Sequence, residues 1–247
     1  MSKGARDRAN ARRVVEQQKA AERRRRVTIW TSVAVVAVLV IAGLIGWTTL
    51  SGQEQTDAGK LTTPSVAVDD STAFSVGSGP VVVDLYEDFM CPICHQFENT
   101  TGPTIKQMVS QNKITVRYHP VSILDRASNG TEYSTRSAGA AAAAAVDGKF
   151  LQYHDVLYAN QPEENSDGLT NAKLIELGKS VGLGDSFATA VNDKTYEPWV
   201  AKVTDTFSSR GYNGTPTIVV AGKQVQGPGQ TLPTAQDFTQ AVTQAAG

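Results

Sequence analysis

Residues 87–97 read EDFMCPICHQF, and they contain both cysteines of this 247-residue chain. Cys91 and Cys94 are three positions apart, and His95 directly follows the second cysteine. Cysteines at this spacing occur in redox-active dithiols, in halves of zinc sites and, with the histidine, at sites of covalent haem attachment. The sequence on either side of the motif has to distinguish these three kinds of chemistry.

The cysteine motif lies between two predicted strands. Residues 80–88 (PVVVDLYED) are apolar on both faces of an extended chain, which is typical of a central strand covered by helices on both sides. Residues 113–120 (KITVRYHP) alternate apolar and polar side chains, as a second strand would. Pro92 is suited to the first turn of the intervening helix, where no N–H is needed, and Pro103 should bend that helix in its middle. We therefore expect Cys91 at the N-terminus of a helix that directly follows a buried strand.

The remaining sequence predicts a helical block and then a second group of strands. Apolar side chains recur at helical spacing through about residues 121–213, and their aromatic stripes are more typical of a core than of a cofactor site. Two short strands follow at 217–220 and 224–226, and an amphipathic segment closes the chain from about residue 233 to 246. The predicted order is β-α-β, a helical block, then β-β-α, which indicates an α/β fold.

Two segments carry a resemblance to a known family. The stretch VVVDLYEDFMCPICHQFE, with Pro103 twelve residues after the first cysteine, and GTPTIVV near the end resemble the DsbA-like thioredoxin-fold thiol-disulfide oxidoreductases. Within that family the chain looks most like the membrane-anchored versions from actinobacteria. The resemblance covers most of residues 79–247 and implies a thioredoxin-like α/β (α+β) fold with a helical domain inserted at about 121–213. Where the family often has an acid, six residues before the first cysteine, this sequence has Leu85.

The resemblance also implies the roles of individual residues. Cys91 would be the attacking cysteine and Cys94 the resolving one, and the pair would form the redox-active disulfide. Thr215 and Pro216 would form a cis peptide bond that packs against the cysteines and contacts the substrate. Isomerases and reductases of the family also carry a threonine before this proline, so the direction of electron flow stays open. The active-site motif is completed by the two residues between the cysteines, Pro92 and Ile93.

A mechanism follows from the predicted position of Cys91. The N-terminus of a helix favours a thiolate, because unpaired backbone N–H groups and the positive end of the helix dipole face it. A stabilised thiolate favours the reduced pair and makes the disulfide a stronger oxidant. We expect a thiol-disulfide oxidoreductase that oxidises cysteine-containing secreted or membrane proteins. We expect it to require no cofactor or metal. The family resemblance implies a membrane thiol oxidase as the partner that recycles the dithiol.

Three other interpretations remain. A c-type haem would use His95 as its ligand, but the motif follows a buried strand and Thr215-Pro216 would have no role. A zinc site would need two more ligands, for which only His95, His119 and His154 are available besides carboxylates. In a binding module without catalysis, the two cysteines would form a static disulfide that resists mild reductants.

The N-terminal sequence predicts a membrane anchor. Residues 1–26 hold ten basic and three acidic side chains, a net charge of +7, whereas the other 221 residues carry −8. Residues 27–50 form a run of 24 without an ionisable side chain, and a helix of that length spans about 36 Å, enough to cross a hydrocarbon core. Trp30 and Trp47 lie near its ends, as interfacial tryptophans do. The basic flank predicts a cytoplasmic N-terminus and a catalytic domain outside the cell membrane.

A cleaved signal peptide and a nucleic-acid-binding tail compete with this interpretation. The apolar run is longer than the usual core of a signal peptide, and no A-x-A cleavage site follows it. Next to a spanning helix, basic residues are explained by membrane topology, so we expect no nucleic acid partner. Residues 51–78 are rich in Ser, Thr, Gly, Asp and Gln and predict a linker. Within it, 65–68 and 73–76 could pair as a hairpin at a sheet edge, before the domain at 79–247.

Overall fold

The computed structural model describes residues 61–247. The predicted basic tail (1–26), the predicted membrane helix (27–50) and the first ten residues of the predicted linker lie outside the described residues. In the part of the chain that is described, no helix is long and apolar enough to cross a membrane.

The centre of the domain is a mixed five-stranded sheet with the strand order β1-β3-β2-β4-β5. Strand β2 runs parallel to β3, while the other three neighbouring pairs are antiparallel. The strand predicted at 113–120 and the two strands predicted at 217–220 and 224–226 are all present. The last strand begins and ends one residue earlier than predicted. The strands are β1 (Phe74–Gly77), β2 (Val81–Glu87), β3 (Ile114–Pro120), β4 (Thr217–Val220) and β5 (Lys223–Val225).

Strand β2 is the central strand, as its two apolar faces predicted. Its residue Val83 pairs with Val116 of β3 on one side and with Val220 of β4 on the other. Leu85 and Tyr86 point to opposite faces of the sheet, yet both are almost fully buried. Helices therefore cover both faces of this strand, and its C-terminal end leads straight into the cysteine motif.

The described residues form eight α-helices, some on the sheet and some in the inserted domain. Helices α1 and α2 meet at Thr101, so the chain bends where Gly102 and Pro103 predicted a bend. Helices α3 to α7 form the inserted helical domain, and α8 closes the chain. The helices are α1 (Pro92–Thr100), α2 (Gly102–Ser110), α3 (Tyr133–Val146), α4 (Phe150–Ala159), α5 (Asn171–Ser180), α6 (Asp185–Asn192), α7 (Glu197–Ser209) and α8 (Ala235–Ala246).

The alanine-rich helix α3 is the centre of the helical domain. All six alanines of the run at 140–145 are buried, and the helix packs against α4, α6 and α7. Small side chains let neighbouring helices approach closely on several sides, so a run of low sequence complexity serves here as a packing core. Side chains cap two other helices: the hydroxyl of Thr170 caps α5, and Thr234 forms a capping box with Asp237 at α8.

The sheet begins earlier than residue 79, and the predicted edge hairpin has a different form. Residues 65–68 form no strand, and only an isolated bridge joins Val68 to Ala73. Residues Phe74–Gly77 instead pair antiparallel with β3. Phe74 is buried against the rings of Phe150 and Trp199, each at a centroid distance of 5.1 Å. The end of the predicted linker is therefore part of the domain, because the apolar contact of Phe74 draws it onto the sheet.

Candidate active site

Cys91 lies at the point where the central strand gives way to helix α1. It is the N-cap residue of α1, with an extended backbone (φ −74°, ψ 115°), and Pro92 opens the helix. Its N–H donates a hydrogen bond to the carbonyl of Asp88 at 2.9 Å. Cys94 lies one turn further along on the buried side of α1, whereas Ile93 between them is 47% exposed. The expected placement of the motif at a strand-helix junction is confirmed.

Cys91 and Cys94 are both free thiols, and their environments differ. Cys91 is 6% exposed and Cys94 is fully buried. A hydrogen bond from the Cys94 thiol, assisted by Thr215 and by the N–H groups of Cys94 and Ile93, outweighs burial and lowers the pKa of Cys91 to about 6. Burial and the neighbouring Cys91 raise the pKa of Cys94 well above its ordinary range. At neutral pH the pair therefore consists of a nucleophilic thiolate and a protonated thiol.

The Thr215-Pro216 peptide bond is cis, and it meets the cysteines across the fold. The Sγ atom of Cys91 lies 3.3 Å from the carbonyl oxygen of Thr215, a contact between residues 124 positions apart. An open cleft of about 350 Å³ runs from Ile93 along the segment 211–218. The backbone of Thr215, which contacts Cys91, thus borders an open cleft.

Two polar side chains that the sequence interpretation missed hold the loop before Cys91. The carboxylate of Asp88 accepts hydrogen bonds from the N–H of Met90 (2.9 Å), the N–H of Leu124 (2.9 Å) and the hydroxyl of Ser134 (2.7 Å). Burial raises the pKa of Asp88 to about 7. The side-chain amide of Gln161 donates to the carbonyls of Phe89 and Cys91, both at 3.0 Å. These contacts connect the cysteine loop to the helical domain.

An acid cluster near the cysteines consists of Glu87, Glu98 and His154, of which Glu87 and His154 are buried and Glu98 is half-buried. The Nε2 atom of His154 lies 3.0 Å from Oε2 of Glu87. One carboxylate oxygen from each glutamate and one ring nitrogen of the histidine all lie within 4.8 Å of one another. Burial raises the pKa of Glu87 above its usual range and that of Glu98 to about 8. Burial opposes the charge on His154, but Asp155 and Glu87 outweigh it and raise the pKa of this imidazole to about 10.

The sequence profile of the thioredoxin family matches residues 76–242, about two thirds of the chain. The chain belongs to the thioredoxin family. Its fold is shared by DsbA of Mycobacterium tuberculosis in the oxidised form, with a TM-score of 0.60 and 30% identity over 71% of this chain and 93% of that chain. It is similarly shared by the reduced disulfide bond oxidoreductase DsbG of the same organism, with a TM-score of 0.60 and 29% identity over 71% and 88%. These relatives support thiol-disulfide oxidoreductase as the enzyme class.

Curated sequences resemble the same thioredoxin-family domain. The chain is 27% identical over 155 residues to the serine/threonine-protein kinase PknE of Mycobacterium tuberculosis, a match that covers 58% of this chain but only 27% of the kinase. It is 23% identical over 196 residues to the probable disulfide bond formation protein D of Bacillus cereus, which covers 76% of this chain and 84% of that protein. The chain thus spans about a quarter of the kinase and most of the disulfide bond formation protein.

A second group of charged residues lies apart from the cysteines. Asp69, Asp84 and His119 lie close together, but Arg117 already bridges the two carboxylates with contacts of 2.6 Å. Among residues 61–247, the clusters with metal-ligand spacing include neither cysteine. Leu85, at the position where the family often has an acid, is fully buried among apolar side chains. The carboxyls of this site come instead from strand position 87 and helix position 98.

The signals for these additional residues differ in strength. The role of Asp88 could have been predicted from the sequence. An aspartate just before a helix commonly accepts a hydrogen bond from the backbone N–H two positions further along. Glu98 lies seven positions after Cys91 and four after Cys94, which is the spacing of one helix face. Gln161 and His154 gave no such signal, since their contacts with residues 87–91 arise only when the helical domain packs on the sheet.

Proposed function

We propose that this protein is an extracytoplasmic thiol-disulfide oxidoreductase that oxidises cysteine thiols of secreted or membrane proteins. The observation that carries the proposal is the asymmetric pair at the start of α1, a stabilised thiolate at Cys91 beside a buried thiol at Cys94. The contact of Cys91 with the cis Thr215-Pro216 segment supports the same function. The family and its DsbA-type relatives support disulfide exchange as the reaction.

The exchange begins from the oxidised protein. A client thiolate attacks Sγ of Cys91, the Cys91–Cys94 bond breaks, and the electron pair of that bond goes to the sulfur of Cys94. The client is then joined to Cys91 by a mixed disulfide. A second client thiolate attacks the client sulfur of this bond, which forms the client disulfide and releases Cys91 as a thiolate. In this direction the client loses two electrons and the Cys91/Cys94 pair gains them.

The stability of the Cys91 thiolate favours this direction. Leaving groups with a low pKa depart faster, and a stabilised thiolate makes the reduced pair more stable and the disulfide more oxidising. In the opposite direction Cys94 would attack Cys91 in a mixed disulfide and release a reduced client. Its high pKa makes that attack slow at neutral pH.

Client recognition would take place at the cleft beside Cys91. The backbone of Thr215 is presented to this cleft, and Pro216 has no N–H to compete for the client, so an extended segment can add alongside as a strand does. The exposed side chain of Ile93 offers an apolar contact next to the reacting sulfur. Such a site binds the client mainly through the client backbone and less through its side chains. It can therefore accept many different cysteine-containing clients.

The membrane location and the recycling partner are parts of the same proposal. The apolar run at 27–50 with its basic flank supports a single-pass anchor with the catalytic domain outside the membrane. The reduced Cys91/Cys94 pair must be reoxidised after each client. A thiol oxidase in the same membrane would carry out this reoxidation. Labelling intact cells with a membrane-impermeant maleimide, after a membrane-impermeant phosphine has reduced the Cys91–Cys94 disulfide, tests the topology. Modification of Cys91 without cell lysis is expected, and protection until lysis would contradict an extracytoplasmic domain.

A redox titration against a glutathione series tests the activity. A potential near about −120 mV would favour an oxidase and one near about −270 mV a reductase, whereas a static disulfide would lie below about −300 mV. Cys91→Ser should abolish exchange, and Cys94→Ser should accumulate mixed disulfides with clients. Exchange at the parent rate in both variants would refute the mechanism.

A further inference from the structure

The cleft segment, residues 211–216, runs from the end of α7 to the contact with Cys91. All of its residues line the cleft at which we propose that clients bind. Gly211 has a positive φ of 85°, and Asn213 and Gly214 are exposed. Glycine at both of these positions leaves the backbone few restraints of its own. The place of this segment beside Cys91 therefore depends on how its start is held.

Arg210 and Tyr212 hold that start against the central strand. Nη1 of Arg210 donates to the hydroxyl of Tyr86 on β2 at 2.5 Å. The ring of Tyr212 packs on the ring of Tyr86 at a centroid distance of 5.3 Å. The N–H of Tyr212 donates to the carbonyl of Phe207 at 3.3 Å. The position of the cleft segment is therefore set largely by two residues that both contact Tyr86.

The carboxylate of Asp69 joins Arg210 to the sheet. Its Oδ2 atom accepts from Nη2 of Arg210 at 2.9 Å, and its Oδ1 atom accepts from Nη1 of Arg117 at 2.6 Å. Arg117 lies on β3 and also donates to both oxygens of Asp84 on β2, at 2.6 and 2.7 Å. Such a two-pronged pair fixes the orientation of the guanidinium. Asp69 thus bridges a fixed arginine and the arginine at the start of the cleft segment.

The loop that carries Asp69 has an unusual backbone. Residues 69–71 have φ values of 52°, 56° and 62°, and three consecutive left-handed residues other than glycine are costly. Two side chains of α7 hold this loop. Lys202 donates to the carbonyl of Asp70 at 2.8 Å, and the indole of Trp199 donates to the carbonyl of Ser71 at 2.7 Å. A backbone of this kind persists only where surrounding contacts fix it, and it is often found where function depends on precise placement.

We propose that Asp69 is a positioning residue for client binding, which holds the cleft segment in place through Arg210. Asp69 contacts neither cysteine and takes no part in the exchange of electrons. The positioning role rests on the proposed exchange activity and identifies a residue that sets the affinity for the client. Small thiols can reach Cys91 without lying along the cleft segment, so their reaction should not depend on Asp69.

Asp69→Asn is the most specific change. Asparagine also tolerates a left-handed backbone, so the loop should keep its shape. The asparagine side chain has one acceptor oxygen and one donor NH₂ group, so it cannot accept from both arginines. Because Arg117 remains bound to Asp84, Arg210 is the arginine that loses its partner.

Asp70→Asn is the matched control. It makes the same change of charge in the same loop, at another left-handed position. The Asp70 side chain is 89% exposed, and its carboxylate lies 3.8 Å from Arg210, beyond hydrogen-bond distance. Arg210→Lys is a second test variant, because lysine keeps the positive charge but lacks the planar fork that reaches Asp69 and Tyr86 together.

The experiment gives the full-length protein two kinds of substrate. Dithiothreitol reduces the Cys91–Cys94 disulfide and is too small to lie along the cleft segment. A peptide with two cysteines, long enough to follow that segment, is oxidised in turnover with oxidised glutathione as the final oxidant. In Asp69→Asn and Arg210→Lys we expect kcat/KM for the peptide to fall about tenfold or more, within the roughly 100-fold that a displacement of about 1 Å can cost. The loss should appear in KM and not in kcat, as expected for weaker binding.

The rate with dithiothreitol should equal that of the parent protein in every variant. Amide hydrogen exchange adds a structural readout: it should become faster at residues 211–215 in Asp69→Asn and stay unchanged in β2 and β3. A general loss of stability would instead speed exchange across the domain. It would not single out the KM of the peptide.

An unchanged KM for the peptide in Asp69→Asn and Arg210→Lys would overturn the positioning role, and so would an equal loss with both substrates. A loss in Asp70→Asn as large as in Asp69→Asn would assign the effect to the charge of the loop and refute the bridge. If Asp69→Asn does not fold, Arg210→Lys supplies the same comparison. A parent protein inactive with both substrates would refute the exchange activity itself, whereas an active parent with the same KM as its variants would refute only the role of Asp69.

Discussion

Removal of the Cys94 thiol should make Cys91 less acidic, because the Cys94 hydrogen bond is the largest cause of its low pKa. A hydrogen bond to a charged group contributes about 1.5–3 kcal/mol, and 1.36 kcal/mol corresponds to about one pH unit. Cys94→Ala should therefore raise the pKa of Cys91 by about one to two pH units. Cys94→Ser keeps an O–H donor at the same place, so its Cys91 should titrate close to the parent value of about 6.

The assay is the absorbance of the thiolate near 240 nm, followed from about pH 4 to 10, with iodoacetamide alkylation as a second measure. The midpoint of each curve matters more than a rate at one pH, because a more basic thiolate is also more nucleophilic and partly masks the loss of ionised sulfur. The helix N-terminus stays intact in both variants, which isolates the contribution of the hydrogen bond. Equal midpoints for the alanine and serine variants would refute the reasoning.

Three further changes test the structure around the site. Gln161→Ala removes the two hydrogen bonds to the loop carbonyls, so urea denaturation should show a loss of about 1–3 kcal/mol and amide exchange at residues 89–91 should become faster. Asp88→Asn leaves the N–H of Leu124 facing an amide instead of a carboxylate oxygen, with a similar expected loss of stability. The pKa of Asp88 is raised to about 7, so its ionisation costs stability as the pH rises from about 4 to 7, and this part of the parent pH profile should be absent in Asp88→Asn. Thr170→Ala removes the cap of α5 and should lower stability by about 1 kcal/mol with unchanged exchange kinetics, and altered kinetics would show that the helical domain is coupled to the cysteines.

The local sequence was sufficient for the elements that carry the cysteines. Two apolar faces on residues 81–87 require a strand with cover on both sides, and the structure places this strand at the centre of the sheet. Within a helix Pro92 fits only the first turn, and the structure has Cys91 at the N-cap. These predictions succeed because they depend on backbone chemistry and on periodicity within a few residues.

The predicted hairpin at 65–76 shows where local information ends. Both short segments have strand-like composition, but the partner of residues 74–77 is β3, about 40 positions further along the chain. Phe74 is drawn onto the sheet by Phe150 and Trp199, which belong to the helical domain. No local pattern identifies such a partner.

The sequence by itself indicated the type of chemistry through its resemblance to the DsbA-like oxidoreductases. Two cysteines at a strand-helix junction and a distant Thr-Pro indicate disulfide exchange, because a helix N-terminus stabilises a thiolate through its own backbone. Only the tertiary structure decided how charge and protons are arranged around that thiolate. Glu87, Glu98 and His154 come from a strand, a helix and the inserted domain, and their pKa values depend on burial and on distances of a few ångströms. Such quantities exist only once the chain has packed.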